Sequence, residues 1–189
     1  MKIILASKSP RRKELLDLLK IKYEIKVSNA EEIIEENLTI EEQAKKLAYI
    51  KAKTVFNETE GERIVIGADT MVIKDGKIYG KPKDETDALK ILQELNGKRH
   101  QVITGIAILA QKGSEYKEYI DYDITEVYLK NMSDEEIKNW IKTGEAMDKA
   151  GAYAIQGEFS VFIEKINGNY STVVGLPIHK VYDILKEIN

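Results

Sequence analysis

The sequence contains no cysteine among its 189 residues. Disulfide bonds and thiolate metal sites are therefore excluded, which fits a reducing compartment. No stretch approaches the ~20 apolar residues of a membrane span, and the apolar run within MKIILASKSP is too short for the core of a signal peptide. The formal charge of −3 gives no general attraction to nucleic acid or to an anionic membrane. These absences predict a cytoplasmic protein with neither a nucleic-acid nor a membrane partner.

Motifs that commonly carry phosphate or acyl chemistry are missing as well. The sequence has no Walker motif G-x-x-x-x-G-K-S/T, no G-x-G-x-x-G and no G-x-S-x-G. Its two histidines, His100 and His179, have no partner at metal-ligand spacing, so we interpret both as structural. Any catalysis must therefore depend on other groups.

Hydrophobic residues make up 43% and charged residues 32% of the chain, which is typical of an ordinary globular protein. The length predicts one domain or two closely packed lobes. Apolar periodicity predicts five helices, at 10–19, 38–56, 84–95, 133–142 and 177–188. The first is expected to bury a face of leucines, Leu15, Leu16, Leu18 and Leu19. Capping boxes, Thr39 with Glu42 and Ser133 with Glu136, are predicted to begin the second and the fourth. Strands are predicted at 2–6, 23–27, 63–80 with a break at Gly67 and a tight turn at Asp75-Gly76, 99–110 and 118–130, followed by a hairpin centred on 167–169. The class is therefore α/β with a mixed sheet.

The opening helix, in LASKSPRRKELLDLL, begins in an unusual way. Ser9 is a favourable N-cap, but Arg11 and Arg12 occupy the first turn, where each cation costs about 0.3–1 kcal/mol against the helix dipole. A bound phosphate would remove this penalty, because free N–H groups, the Ser7 and Ser9 hydroxyls and two guanidinium groups would converge on it. The alternative is that both arginines point into solvent or pair with carboxylates.

The segment IVIGADT offers a carboxylate in a favourable place. Asp69 follows an apolar run and lies just beyond Gly67, where a buried strand is predicted to end. Ligands bind outside the carboxyl ends of strands in open α/β sheets, so Asp69 is a candidate metal ligand or general base. Glu31 and Glu32 also follow a strand and could join Asp69 at a metal, although Glu35 and Glu36 nearby favour an ordinary acidic surface as the alternative. The alternatives are a turn or N-cap role for Asp69 and an ordinary strand position for Thr70.

Two lysines are candidates for phosphate contacts. Lys51 falls on the apolar stripe of the long second helix, although most lysines so placed extend outward to solvent. Lys81 precedes Pro82, which favours an extended backbone. A phosphate site without a P-loop, with acids and lysines nearby, favours metal-assisted hydrolysis of a phosphoanhydride over kinase or GTPase chemistry.

Four motifs in order, LASKSPRRKELL, GADTMV, GKP and DKAGAYAIQG, resemble the Maf family of nucleoside triphosphate pyrophosphatases. They extend from Leu5 to Gly157, and VVGLP continues the likeness to the last helix. The resemblance implies a single domain over 1–189. Its mixed sheet would have flanking helices and two lobes around a cleft, similar to inosine triphosphate pyrophosphatases, and the protein would form a homodimer. It also implies cleavage of the α–β phosphoanhydride with a divalent cation, Mg²⁺ or Mn²⁺, to a nucleoside monophosphate and pyrophosphate.

Carried over residue by residue, the resemblance gives Asp69 the role of the catalytic carboxylate. The family's other polar active-site positions fall on Glu32, Lys51 and Lys81, with Glu32 as a second metal ligand beside Asp69. The positions that set base preference fall on Arg11, Thr70 and Gln156. DKAGAYAIQG resembles the branch that acts on dTTP and UTP, although Ala154 stands where that branch usually has glycine. The alternative is a regulatory protein that binds nucleotides without turnover.

Overall fold

The structure is a computed structural model that describes residues 1–35 and 37–188. Within them the mixed α/β class is confirmed. The strands are β1 (Lys2–Leu5), β2 (Glu24–Ile25), β3 (Arg63–Lys74), β4 (Lys77–Tyr79), β5 (Arg99–Lys112), β6 (Glu115–Leu129) and β7 (Ile163–Asn167). The helices are α1 (Pro10–Asp17), α2 (Ile40–Asn57), α3 (Glu85–Leu95), α4 (Asp134–Lys142), α5 (Tyr170–Val174) and α6 (Ile178–Ile188). The sheet order is β2-β1-β3-β5-β6-β7, with β4 paired to β3.

The chain divides into two compact units. The first comprises Met1–Asp69, Thr104–Asp123 and Gly175–Asn189, and the second comprises Thr70–Ile103 and Ile124–Val174. None of the described helices is both long enough and apolar enough to cross a membrane.

In the first unit, β1 pairs in parallel with β2 on one side and with β3 on the other. Helix α2 begins with the predicted capping box, in which Thr39 accepts from the backbone of Glu42 and the Glu42 carboxylate accepts from the backbone of Thr39. The core of this unit consists of buried side chains from β1, α2, β3 and β5, among them Ile4, Ala48 and Leu109.

In the second unit, β3 and β4 form the predicted hairpin at Asp75-Gly76. Both turn residues have positive φ, 51° and 77°, which matches the right-handed twist of the strands. The core lies among strands and the helices α3 and α4, and its buried aromatic residues are Tyr79, Trp140, Tyr153 and Phe159. Ser133 and Glu136 form the second predicted capping box, at the start of α4.

Three predictions of local structure are wrong. Strand β3 does not break at Gly67 but runs without interruption from Arg63 to Lys74. The predicted hairpin at 167–169 is instead β7 followed by the short helix α5, because the Asn169 side chain accepts from the backbone N–H of Ser171 at 3.0 Å and begins a helical turn. In the first helix, Leu15 and Leu16 are buried as expected, but Leu18 is 67% exposed.

Candidate functional site

The first part of the site is the junction between β1 and α1. Parallel pairing of β1 ends at Leu5 opposite Ile66, after which the chain turns into α1 at Pro10. Ser9 occupies the N-cap position, but its side chain makes no capping hydrogen bond. Ser7 is buried, and its hydroxyl accepts from the Ser9 backbone N–H and from the Arg12 guanidinium, each at 3.2 Å. The first turn of α1 therefore presents N–H groups and cations and contains no acidic residue.

Arg12 is anchored on the protein rather than extended into solvent. Its Nε donates to the carbonyl oxygen of Gly175 at 2.7 Å. The pKa of the Arg12 guanidinium is lowered, mainly by burial. The charge of Asp69 is the next largest influence and opposes this shift, as does that of Glu32, whereas the charge of Arg11 adds to it. Arg11, Asp69 and Glu32 therefore all lie within electrostatic reach of Arg12.

A lysine between two carboxylates forms the second part of the site. The Lys51 ammonium lies 2.5 Å from Asp69 Oδ1 and 2.8 Å from Glu32 Oε1. The side chains of Lys51 and Asp69 are only 13% and 9% exposed, whereas Glu32 is 53% exposed. The structure thus brings together three residues that are separated by up to 37 positions in the sequence. Lys51 points into this cluster and does not extend outward to solvent.

Close packing of α2 on the sheet places Lys51 beside Asp69. A Cβ atom on Gly67 would lie 2.4 Å from the carbonyl oxygen of Ala48, and one on Gly105 would lie 2.1 Å from that of Ala44. Together with Ala52, these alanines recur every four residues, so the face of α2 that meets β3 and β5 carries almost no side-chain volume. The helix therefore lies close enough for a lysine stem to reach the strand.

Buried Gln43 on α2 positions the segment that carries Glu32. Its amide donates to the carbonyl of Ile33 and accepts from the backbone N–H of Glu35, both at 2.9 Å. These bonds hold the segment after Glu32 along α2, on which Lys51 lies two turns further on. The sequence patterns did not indicate the role of Gln43. The spacing of Ala44, Ala48 and Ala52 at every fourth residue could have predicted the close packing of α2 on the sheet, but it was not recognised.

The position of Asp69 requires a correction. It is not at the end of a strand, as the sequence suggested, but inside the continuous β3. Its neighbour β1 nevertheless ends earlier, with Leu5 opposite Ile66 and the N–H of Ala6 bonded to the carbonyl of Ile66 at 2.8 Å. Asp69 therefore lies just past the carboxyl end of β1, where a parallel neighbour no longer covers the strand.

The carboxylates of Glu32 and Asp69 are the candidate ligands for a divalent cation. Within the described residues, no group of three or more His, Cys, Asp or Glu side chains could hold a metal ion. Glu32 and Asp69 do converge on one positive centre, the Lys51 ammonium. Mg²⁺ is commonly held by one or two carboxylates together with substrate phosphates, so this pair fits such an ion as a partial ligand set.

The remaining candidates belong to the second unit. Thr70 is half-buried on β3, and Lys81 is exposed just after β4. Gln156 is half-buried in the segment 150–157, which we call the 150s loop. The backbone N–H of Gly151 donates to the carbonyl of Gly80 at 3.0 Å, so the 150s loop is bonded to the residue preceding Lys81. His100, interpreted from the sequence as structural, is buried and shares a hydrogen bond with Tyr153 of this loop.

Comparison with known proteins identifies close relatives. A family model described as Maf-like protein matches residues 2–188. A dTTP/UTP pyrophosphatase from Alkaliphilus metalliredigens is 51% identical over 184 residues, covering 97% of this chain and 94% of that protein. A second, from Alkaliphilus oremlandii, is 50% identical with the same coverage. Among solved structures, a HAM1 protein from Coxiella burnetii has 16% identity and a TM-score of 0.49 and covers 99% of both chains.

Proposed function

Because the chain belongs to the Maf family, we propose that it is a nucleoside triphosphate pyrophosphatase acting on dTTP and UTP. It cleaves the α–β phosphoanhydride and releases a nucleoside monophosphate and pyrophosphate. Relatives about half identical over nearly the full chain carry the name dTTP/UTP pyrophosphatase, which supports both the reaction and the substrates. Asp69, Glu32, Lys51 and Lys81 act as the catalytic residues.

One observation carries the proposal: the Lys51 ammonium bridges Asp69 and Glu32 in the same unit as the cationic start of α1. Arg11, Arg12 and Lys51 are three cations that can bind phosphate oxygens, and Asp69 is a carboxylate that can accept a proton. Ser7 and Ser9 add hydroxyls at the end of α1 where backbone N–H groups lack helical partners. This combination suits hydrolysis of a polyphosphate.

The bond changes follow from these roles. A water molecule attacks the α-phosphorus in line with the bridging oxygen of the β-phosphate. The new bond from water oxygen to phosphorus forms as the bridging bond breaks, and Asp69 accepts the proton that the water loses. Arg12, Lys51 and Lys81 stabilise the charge that develops on the phosphate oxygens and on the departing pyrophosphate.

We assign Mg²⁺ or Mn²⁺ to the carboxylates of Glu32 and Asp69, together with the phosphates of the substrate. When bound, the ion supplies Lewis-acid stabilisation of phosphate charge. Lys51 then has a second role, since in the absence of other cations its ammonium holds the same two carboxylates in a converging arrangement.

Base selection is assigned to Gln156, with Arg11 and Thr70 fixing the nucleotide relative to its phosphates. Uracil and thymine present a carbonyl–imide–carbonyl edge, and a glutamine amide can donate to a carbonyl and accept from N3–H. Cytosine has an acceptor at N3 and an amine in place of one carbonyl, so part of the network is left unpaired. We therefore expect CTP to be a poorer substrate than UTP.

A substrate panel tests the proposal. Purified protein with Mg²⁺ is incubated with dTTP, UTP, CTP, ATP and GTP, and released pyrophosphate is measured. We expect rapid turnover of dTTP and UTP, weaker turnover of CTP and poor turnover of the purine triphosphates. Tight nucleotide binding without pyrophosphate release would instead support the second candidate, a non-catalytic nucleotide-binding regulator. Preference for GTP would contradict the assignment of the base site.

The homodimer is a further part of the proposal. In the first unit, large apolar side chains are exposed on and after the edge strand β2, with Ile25 at 47%, Ile33 at 58% and Ile34 at 50% exposure. Burial of such side chains against a second copy of the chain supports the dimer. Sedimentation equilibrium is expected to give twice the chain mass of 21.5 kDa, and a monomer across the micromolar range would rule the dimer out.

A further inference from the structure

The 150s loop has a strained backbone a few residues before Gln156, the residue assigned to base selection. Gly151 and Ala152 are consecutive residues with positive φ, 70° and 60°. Glycine adopts this conformation readily, but for alanine it costs about 1–2 kcal/mol. A Cβ on Gly151 would also lie 2.9 Å from Val72, so glycine is needed there for space as well as for conformation. Strain of this kind persists only where surrounding contacts enforce it.

Three hydrogen bonds enforce the strained conformation. The indole N–H of Trp140 donates to the carbonyl of Ala152 at 2.8 Å. The N–H of Gly151 donates to the carbonyl of Gly80 at 3.0 Å. The hydroxyl of Tyr153 and Nε2 of His100, on β5, share a hydrogen bond of 2.6 Å. The loop is therefore held by α4, by the segment before Lys81 and by a central strand.

Of these three hydrogen bonds, the one between His100 and Tyr153 joins two side chains, and both are well isolated from solvent. His100 is 2% and Tyr153 5% exposed, and their rings meet edge to face at a centroid distance of 5.3 Å. Burial lowers the pKa of His100 to about 4 and raises the pKa of the Tyr153 hydroxyl, so both groups are neutral at neutral pH. A neutral, buried hydrogen bond of this kind fixes the direction of the tyrosine ring and of the backbone attached to it.

We propose that His100 and Tyr153 are positioning residues for base selection, which fix the 150s loop so that Gln156, three residues after Tyr153, meets the pyrimidine edge at a set position. The inference rests on the proposed function, because it assigns the pair to the same base site. His100 is far from Tyr153 in sequence and acts only through it. Neither residue takes part in bond breaking.

Through the backbone hydrogen bond between Gly151 and Gly80, displacement of the 150s loop should also displace Lys81. A loop that moves at Gly151 also moves the carbonyl of Gly80, which precedes a lysine assigned to the phosphates. Loss of the His100–Tyr153 bond is therefore expected to relax base discrimination first and to lower kcat to a smaller extent, while KM for dTTP rises.

The test compares variants of the full chain in kcat and KM for dTTP and CTP, measured well below the melting temperature. Tyr153→Phe removes only the hydroxyl, and His100→Leu removes the partner nitrogen. His100→Gln restores an amide that can bond to the tyrosine hydroxyl. Val127→Ala is the matched control, because Val127 is fully buried in the same core but lies on β6 in the pairing with β7.

We expect Tyr153→Phe and His100→Leu to lower the dTTP/CTP ratio of kcat/KM by about fivefold or more. His100→Gln should return the ratio to within about twofold of wild type, and Val127→Ala should lower the melting temperature without changing the ratio. An unchanged ratio in Tyr153→Phe, an equal change in Val127→Ala, or failure of His100→Gln to restore it would each overturn the inference. Wild-type protein in the same assay separates the two claims, since absence of its dTTP turnover refutes the proposed function instead.

Discussion

At the scale of single residues, Lys51 connects the features of the candidate site. The sequence placed it on an apolar helical stripe, where a lysine usually extends to solvent. In the structure it instead neutralises a nearly buried aspartate and a half-exposed glutamate. A buried carboxylate without a partner would be strongly unfavourable, so Lys51 makes the burial of Asp69 tolerable before any substrate arrives.

Asp69→Asn is expected to reduce pyrophosphate release from dTTP by about 10²- to 10⁴-fold, because the amide cannot accept the proton of the attacking water. Nucleotide binding should largely survive, since the cations that contact phosphate remain. The matched control is Asp75→Asn, which makes the same chemical change at the exposed turn between β3 and β4. Turnover of Asp69→Asn close to wild type, with an unchanged circular dichroism spectrum, would contradict the assignment.

The two arginines of α1 are expected to differ in their contribution to ligand-free stability, although the sequence predicts the same anion-binding role for both. Arg12→Gln removes donors from the Gly175 carbonyl and the Ser7 hydroxyl, so ligand-free stability should fall by about 1–3 kcal/mol in urea unfolding. Arg11→Gln should lower the stability by less, because the positive charges of Arg11 and Arg12 repel each other. Both variants should lose most of the rise in melting temperature that dTTP gives the wild type. If both retain that rise, the α1 start is not the phosphate site.

At the scale of elements, glycine and alanine positions decide where α2 lies. The sequence predicts that Gly67 interrupts a strand, since glycine often does so. The strand continues, and the missing side chain instead admits the backbone of α2. A single sequence shows that glycine is present but does not show which neighbour needs the space.

Gly67→Ala tests this packing. Its Cβ would lie 2.4 Å from the Ala48 carbonyl and 2.7 Å from the Ala52 N–H nitrogen, both backbone atoms that cannot rotate away. We expect a loss of stability of at least about 1–3 kcal/mol and a drop in kcat, because α2 carries Lys51 away from Asp69 when it shifts. Gly80→Ala is the stability control, since nothing lies within 4 Å of a Cβ there and its φ is not positive. Equal stability of the two variants would show that α2 adapts without strain.

The sequence predicted elements better than it predicted contacts. Local signals sufficed for the capping boxes at Thr39 and Ser133 and for the Asp75-Gly76 turn, because each is decided by residues within a few positions. The segment YSTVV was expected to form a strand and is helical, since the Asn169 side chain and the Thr125 hydroxyl bond to the chain at its start. The meeting of Glu32, Lys51 and Asp69 depends on tertiary packing, which local patterns do not encode.

At the scale of the whole molecule, neither compact unit is a continuous stretch of chain. The chain passes between them after residues 69, 103, 123 and 174, and three of these points lie within β3, β5 and β6. A strand cannot lose its structure in one half without affecting its other half. Urea unfolding followed by circular dichroism and by Trp140 fluorescence should therefore give coincident transitions.

Because unfolding is expected to be cooperative, a buried titratable group in one unit should contribute to the pH dependence of the stability of the whole protein. Burial holds the pKa of His100 at about 4 in the folded protein, whereas an unfolded histidine has a pKa of about 6.5. Between these values the unfolded chain binds more protons than the folded one, so stability falls as the pH is lowered. The contribution is fully present above about pH 6.5 and is lost toward pH 4, by about 3 kcal/mol in total. His100→Gln should remove this slope, and the difference in unfolding free energy between wild type and variant should shrink from pH 7 to pH 5. Parallel stability curves for the two proteins over that range would show that His100 is not held neutral by burial.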